Sequence, residues 1–173
     1  MRLPDSSIDE LQTPWQDRVS VWSRRGTLAV LLVVVLAGAA GALGVHSAST
    51  SSSGTDWSLR LRYAQVARAG LDVPWQVTVR HSGGFTDDVT LAVTGAYFDI
   101  YETQGFHPEP SDESRDSDTL YLTFKAPPKG DTLVVAYDAY IQPASQVGRS
   151  GSVSVLDHGR RAATVHFRTR LLP

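Results

Sequence analysis

Hydrophobic positions follow two regimes along this chain. From Gly26 to Val45 they are continuous, with no charge and a single hydroxyl, Thr27. From Trp57 onward they alternate with polar residues in short runs separated by glycine, proline and aspartate. The first regime predicts a helix long enough to cross a bilayer. Twenty residues at about 1.5 Å each span roughly the 30 Å hydrocarbon core, and a helix satisfies its own backbone there. The second regime predicts half-buried strands, whose side chains point to opposite faces in turn.

The flanks of the apolar run set its expected orientation. Arg18, Arg24 and Arg25 precede it, and the next cation is Arg60. The positive-inside bias predicts a cytoplasmic head, 1–25, a transmembrane helix, 26–45, and an extracytoplasmic remainder. Pro14 after Thr13 suits a helix start, and a helix from there puts Trp15, Val19 and Trp22 on one face. Trp15, Trp22, Arg24 and Arg25 are therefore expected as an interfacial anchor. Past its middle the segment becomes rich in small residues. Ala37, Gly38, Gly41, Ala42 and Gly44 recur at spacings that let a second helix approach closely, from another membrane protein or a further copy.

An export signal is the rival reading. Ala37-Gly38-Ala39 and Ala40-Gly41-Ala42 resemble cleavage sites, and Ser23-Arg24-Arg25-Gly26-Thr27-Leu28 resembles a twin-arginine signal, with Thr27 where phenylalanine is usual. The acidic residues Asp5, Asp9, Glu10 and Asp17, and the length of the apolar run, favour a retained anchor.

The stretch 46–56 is Ser-rich and low in complexity, and is expected to be a flexible linker. Beyond it, inward-facing sets recur: Leu59, Leu61 and Tyr63; Val73, Trp75, Val77 and Val79; Val89, Leu91 and Val93; Leu120, Leu122 and Phe124; Leu133, Val135 and Tyr137; then Val153 and Val155 with Ala163, Val165 and Phe167. His81-Ser82-Gly83-Gly84, Pro127-Pro128-Lys129-Gly130 and Asp157-His158-Gly159 read as turns, and Tyr97–Tyr101 reads as a strand or an irregular crossing. Seven or so strands at this spacing predict an all-β antiparallel sandwich over 57–173. In pattern it resembles an immunoglobulin-like or fibronectin III-like domain without the immunoglobulin cysteine pair. That resemblance transfers no functional residue.

Composition narrows the chemistry. The chain has no cysteine, which removes disulfides, thiolate metal sites and cysteine nucleophiles. Its net charge is −2, which argues against general nucleic-acid binding. Arginine far outnumbers lysine, and alanine, glycine and valine are abundant, as in products of GC-rich bacterial genes. The acidic stretch 109–118 reads as a solvated loop. It lacks the glycine and spacing of a calcium loop. The histidines are dispersed, Asp99 and Glu102 are a weak carboxylate pair, and no nucleophile elbow appears. No cofactor, metal or enzymatic activity is expected.

Two surface features remain. Arg60, Arg62, Arg160, Arg161, Arg168 and Arg170 make a basic patch if their strands come together. Tyr97, Phe98, Tyr101, Phe106 and Tyr140 cluster around less regular chain; most of them are expected to cap the core of the sandwich, and where exposed they mark a protein or glycan surface. The expected function is a non-enzymatic accessory or interaction subunit of a membrane partner, placed in the cell membrane. The alternative is an exported binding module for a metal or glycan.

Overall fold

The computed structural model describes residues 14–39, 41, 44–102 and 105–172, with side chains in the first helix described from Ser20 onward. It divides into two compact units, Met1–Gly44 and Val45–Pro173.

Among the described residues the first unit contains one helix, α1 (Pro14–Ala39), which runs without interruption through Arg24 and Arg25. Its Ser20–Ala39 portion is apolar enough to cross a membrane, and it is compatible with either a membrane span or a signal peptide. Leu28 and Val30–Leu36 are all more than half exposed. Thr27, the single hydroxyl of the run, donates to the Ser23 carbonyl one turn back (3.0 Å). It thus needs no outside partner. The helix ends earlier than its sequence suggests. Gly41 has φ +75°, and its amide donates to the Gly38 carbonyl (3.0 Å). A left-handed glycine at this place closes a helix rather than continuing it. The small-residue helix face is corrected accordingly. Ala37 and Gly38 are helical, Gly41 and Gly44 lie beyond the helix, and Ala42 is outside the described residues.

The second unit is a two-sheet antiparallel sandwich. In the first sheet, β1 (His46–Ser53) pairs with β2 (Trp57–Arg68). Past the short β3 (Asp72–Val73), β4 (Trp75–His81) joins β2 on its other side. In the second sheet, β5 (Val89–Thr94) leads into a 3-10 helix, Gly95–Ile100, which returns the chain to the first sheet as β6 (Phe106–His107). The hairpin β7 (Asp112–Asp116) and β8 (Thr119–Phe124) extends the second sheet from β5. Strand β9 (Thr132–Tyr137) fills the first sheet between β4 and β6. The short β10 (Ala139–Tyr140) pairs with β3. Strands β11 (Ser150–Asp157) and β12 (Arg160–Arg168) complete the second sheet, and β13 (Arg170–Leu172) crosses back to lie parallel to β2.

The sheet orders are β1-β2-β4-β9-β6 and β12-β11-β5-β8-β7. The neighbours β2-β4-β9 and β12-β11-β5 reproduce the A-B-E and G-F-C relations of an immunoglobulin sandwich. The core sits between the sheets and is built from the alternating sets predicted above, with Leu61, Val77, Leu91, Leu122, Val135 and Val153 fully buried. The His158-Gly159 loop has positive φ at both residues (46° and 77°), the geometry that two-residue hairpins prefer.

Two expectations are corrected. The Ser-rich stretch is not a linker over 46–53. It is β1, in register with β2 from His46↔Val66 to Ser53↔Ser58. Its pairing comes from the backbone, so serine side chains do not prevent it, and Ala48, Thr50 and Ser52 supply a half-buried face. The acidic stretch is not wholly a loop either, because Asp112–Asp116 pairs with β8. Its charges suit an edge strand, where they discourage pairing with other chains.

Candidate functional site

The aromatic stretch after β5 is shaped by a three-residue repeat. In a 3-10 helix, positions i and i+3 eclipse. Tyr97 and Ile100 therefore face the core together, and both are buried. Phe98 and Tyr101 share the neighbouring face. Their rings meet Trp75 of β4, Phe106 of β6 and Tyr137 of β9. The centroid separations are 5.4 Å for Trp75–Phe98, 5.7 Å for Phe98–Phe106 and 4.7 Å for Phe106–Tyr137.

Beneath this cluster runs a buried polar chain. The Thr169 hydroxyl donates to the Ala64 carbonyl (2.6 Å). Its proton is then committed, so the Tyr97 hydroxyl donates to Thr169 (2.8 Å), and Tyr101 in turn donates to Tyr97 (2.7 Å). Thr169 is the residue at which the chain leaves β12 for β13. Its amide donates to the Arg149 carbonyl, and a Cβ at Gly148 would overlap its carbonyl. Burial raises the pKa of both tyrosines. Hydrogen bonding with Thr169 and Tyr101 offsets part of that for Tyr97, while the neighbouring Tyr97 adds to it for Tyr101. The conditional reading of Tyr97, Phe98 and Tyr101 as an exposed partner surface does not hold for the two tyrosines, and the core-capping one does. Tyr97 and Tyr101 are core, and Phe98 is half-buried among rings.

What these rings leave open is a groove of about 900 Å³ between the sheet edges β6 and β7. Phe98, Tyr101, Phe106 and Tyr137 form its floor, and Glu109, Asp112 and Glu113 stand on its rim. Arg115 lies over Gly95, where an added Cβ would come within 3.0 Å of the guanidinium. An aromatic floor under an acidic rim suits an apolar segment carrying basic groups. Sequence reasoning missed Trp75 and Tyr137 as members of this cluster. On their own strands they look like ordinary inward-facing residues, and only the return of β6 beside β9 brings them together.

A second cleft of about 470 Å³ lies at the end of the sandwich that carries the His158-Gly159 hairpin. There Trp57 lies against His81 with the rings tilted (centroids 4.3 Å apart), and Phe85 is beyond. His81 Nδ1 is 2.6 Å from the Gly84 carbonyl, so that nitrogen serves the turn. Asp88 is held by Lys125 (2.9 Å) and the Ala126 amide (3.2 Å), which keep its carboxyl below the usual range.

The expected basic patch is divided. Arg60 and Arg62 lie on the outer face of β2, alternating with inward-facing Leu59, Leu61 and Tyr63. Arg160 and Arg161 begin β12, and Arg168 ends it. Eight steps of strand separate Arg160 from Arg168, roughly 26 Å. Arg170 lies past the crossing, on β13. In the first unit, Trp22 is 72% exposed, and Arg24 and Arg25 are exposed beside it. Trp15 lies in the same helix, with its side chain outside those described. Among the described residues no three His, Asp or Glu side chains are grouped to hold a metal. In β7, Asp112 and Asp116 fall on one face and Glu113 on the other, beside Arg115.

No family model matches the chain, and no curated protein matches it. Among solved structures, it is similar to an immunoglobulin-like protein from Pseudomonas aeruginosa. The two are 18% identical, with a TM-score of 0.38, over 62% of this chain and 79% of that one.

Proposed function

We propose that this chain is a membrane-anchored, non-enzymatic interaction subunit of a bacterial envelope. Helix α1 holds it in the membrane with the N-terminus in the cytoplasm, and the immunoglobulin-like sandwich works outside, against a membrane protein partner. The observation that carries the reading is α1 itself. Its apolar side chains are exposed all round, and a helix of this kind needs an apolar medium. At about 1.5 Å per residue Ser20–Ala39 reaches roughly 30 Å, with Arg24 and Arg25 long enough to bring their charges to the interface. The groove over Phe98, Phe106 and Tyr137 is the partner site.

One observation favours the second reading, an exported binding module. The helix stops at Ala39 among small residues, as the apolar core of an export signal does before its cleavage site. A cut after Ala42 leaves the sandwich whole, whereas one after Ala48 divides β1.

Topology is tested in a chain that has no native cysteine. Ser6→Cys and Ser111→Cys variants are exposed to a membrane-impermeant maleimide on spheroplasts. Ser111→Cys is expected to label at least tenfold more than Ser6→Cys until the cells are lysed. Equal or reversed labelling contradicts the proposed orientation. Release of the Ser111→Cys product into the medium supports the exported module instead.

A further inference from the structure

We infer that the end of the sandwich nearest its entry from α1 is a docking surface for an anionic bilayer. The inference rests on the anchored reading and goes beyond it by assigning a face of the domain to lipid. Strand register defines this end. His46, at the start of β1, pairs with Val66, and Arg170 pairs with Val66 from the other side. Leu172 then lies beside Arg68, and Arg168 beside Ser150. Arg149 adjoins the same crossing through the hydrogen bond from Thr169.

Two independent features coincide there. The first is charge. Arg68, Arg149, Arg168 and Arg170 are all exposed, and among the described residues none forms an ion pair. The acids of this end, Asp72, Asp99, Glu102 and Asp138, lie instead on the 3-10 helix and the β3–β10 side. The second is apolar exposure. Leu71, Val134, Val147 and Leu172 are the exposed large apolar residues described in the sandwich. Leu71 follows the turn after β2, Val147 precedes the Gly148–Thr169 contact, and Leu172 ends β13, so three of the four are at this end. Val147 is 73% exposed.

Arginines around protruding apolar tips fit the boundary of a bilayer, with guanidiniums at phosphates and aliphatic groups among the upper acyl chains. Covalent connection favours a membrane over other anionic partners. Only residues 40–44 separate the end of α1 from the first residue of the domain, a reach of about 20 Å at full extension. In an anchored chain this is therefore the end by which the domain is tethered.

The test uses the full chain in nanodiscs, with a fluorophore on Val147→Cys and, at the opposite end, on Lys129→Cys as control. Quenching by a nitroxide-bearing lipid is expected to be at least threefold stronger at position 147 in discs containing phosphatidylglycerol. It is expected to fall to the control level in phosphatidylcholine discs, and in a variant with Arg68, Arg149, Arg168 and Arg170 replaced by glutamine. Quenching that is no stronger at 147 than at 129, or that ignores lipid charge and the four arginines, overturns the inference. So does shielding of position 147 in native membranes without lipid quenching, which assigns this end to a protein. A chain that fails to enter discs refutes the anchor alone. The same label is then read with the chain added to phosphatidylglycerol vesicles, where quenching upholds the surface and its absence overturns it.

Discussion

Trp75→Ala is expected to destabilise the sandwich by about 3–5 kcal/mol, the range for removing a large aromatic side chain from a core. Trp75 is 1% exposed and meets Phe98, Phe106 and Tyr137 edge-on, at 5.4, 6.0 and 6.2 Å. Its indole thus supports the 3-10 helix, β6 and β9 together. A domain of ordinary stability, about 5–15 kcal/mol, loses much of its margin with it. Among the described residues the indole N–H has no hydrogen-bond partner. Trp75→Phe keeps a ring and removes that unpaired donor, so it is expected to cost less than half as much as alanine. Urea unfolding of the full chain in mild detergent, followed by the β-sheet circular dichroism band, measures both. A phenylalanine variant as unstable as the alanine variant would show that the indole N–H has a stabilising partner.

Thr169→Val is expected to cost about 2–4 kcal/mol, although it preserves side-chain volume. The hydroxyl both supplies the proton for the Ala64 carbonyl and accepts one from Tyr97. Valine leaves a buried phenol without its acceptor, and each such orphan costs about 1–3 kcal/mol. Combined with Tyr97→Phe, the loss is expected to be clearly less than the sum, because the two changes break one shared bond. The same chain sets a pH dependence. Burial holds the Tyr97 and Tyr101 pKa values above the ordinary 10.0. Above about pH 10 the unfolded chain releases these protons and the folded one keeps them, so stability falls as pH rises. Below that range the two groups contribute no slope. The expected fall is about 1.4 kcal/mol per pH unit for each tyrosine, and Tyr97→Phe should halve it. Denaturant titrations from pH 8 to pH 11 check this. A flat profile would mean that the phenols are not closed off from water.

The alternating strands were legible because a sandwich buries one face of each, and period two survives in sequence at Leu59-Leu61 as at Val153-Val155. Three elements were hidden, each for its own reason. Strand β1 looks like a linker because an edge strand is specified by backbone pairing, and its serines record no hydrophobic face. Strand β7 looks like a loop because its charges protect an edge, and the pairing of Glu113 with Leu122 is visible only in register. The end of α1 was misplaced because Gly41 is equally at home inside an apolar run and at a left-handed helix stop. The arginines of the entry end were scattered through the sequence, with Arg68 and Arg149 unremarked. The crossing at Thr169 is what assembles them. That crossing is a property of topology, which period and composition do not encode.

The most direct test of the anchored sandwich is the intact mass of the native protein, taken from salt-washed membranes and from the soluble fraction. The anchored account predicts the full-length mass in the membrane fraction and none in the soluble one. A soluble product beginning at Leu43, after a cut at Ala42, would contradict it and make α1 an export signal for a free immunoglobulin-like module.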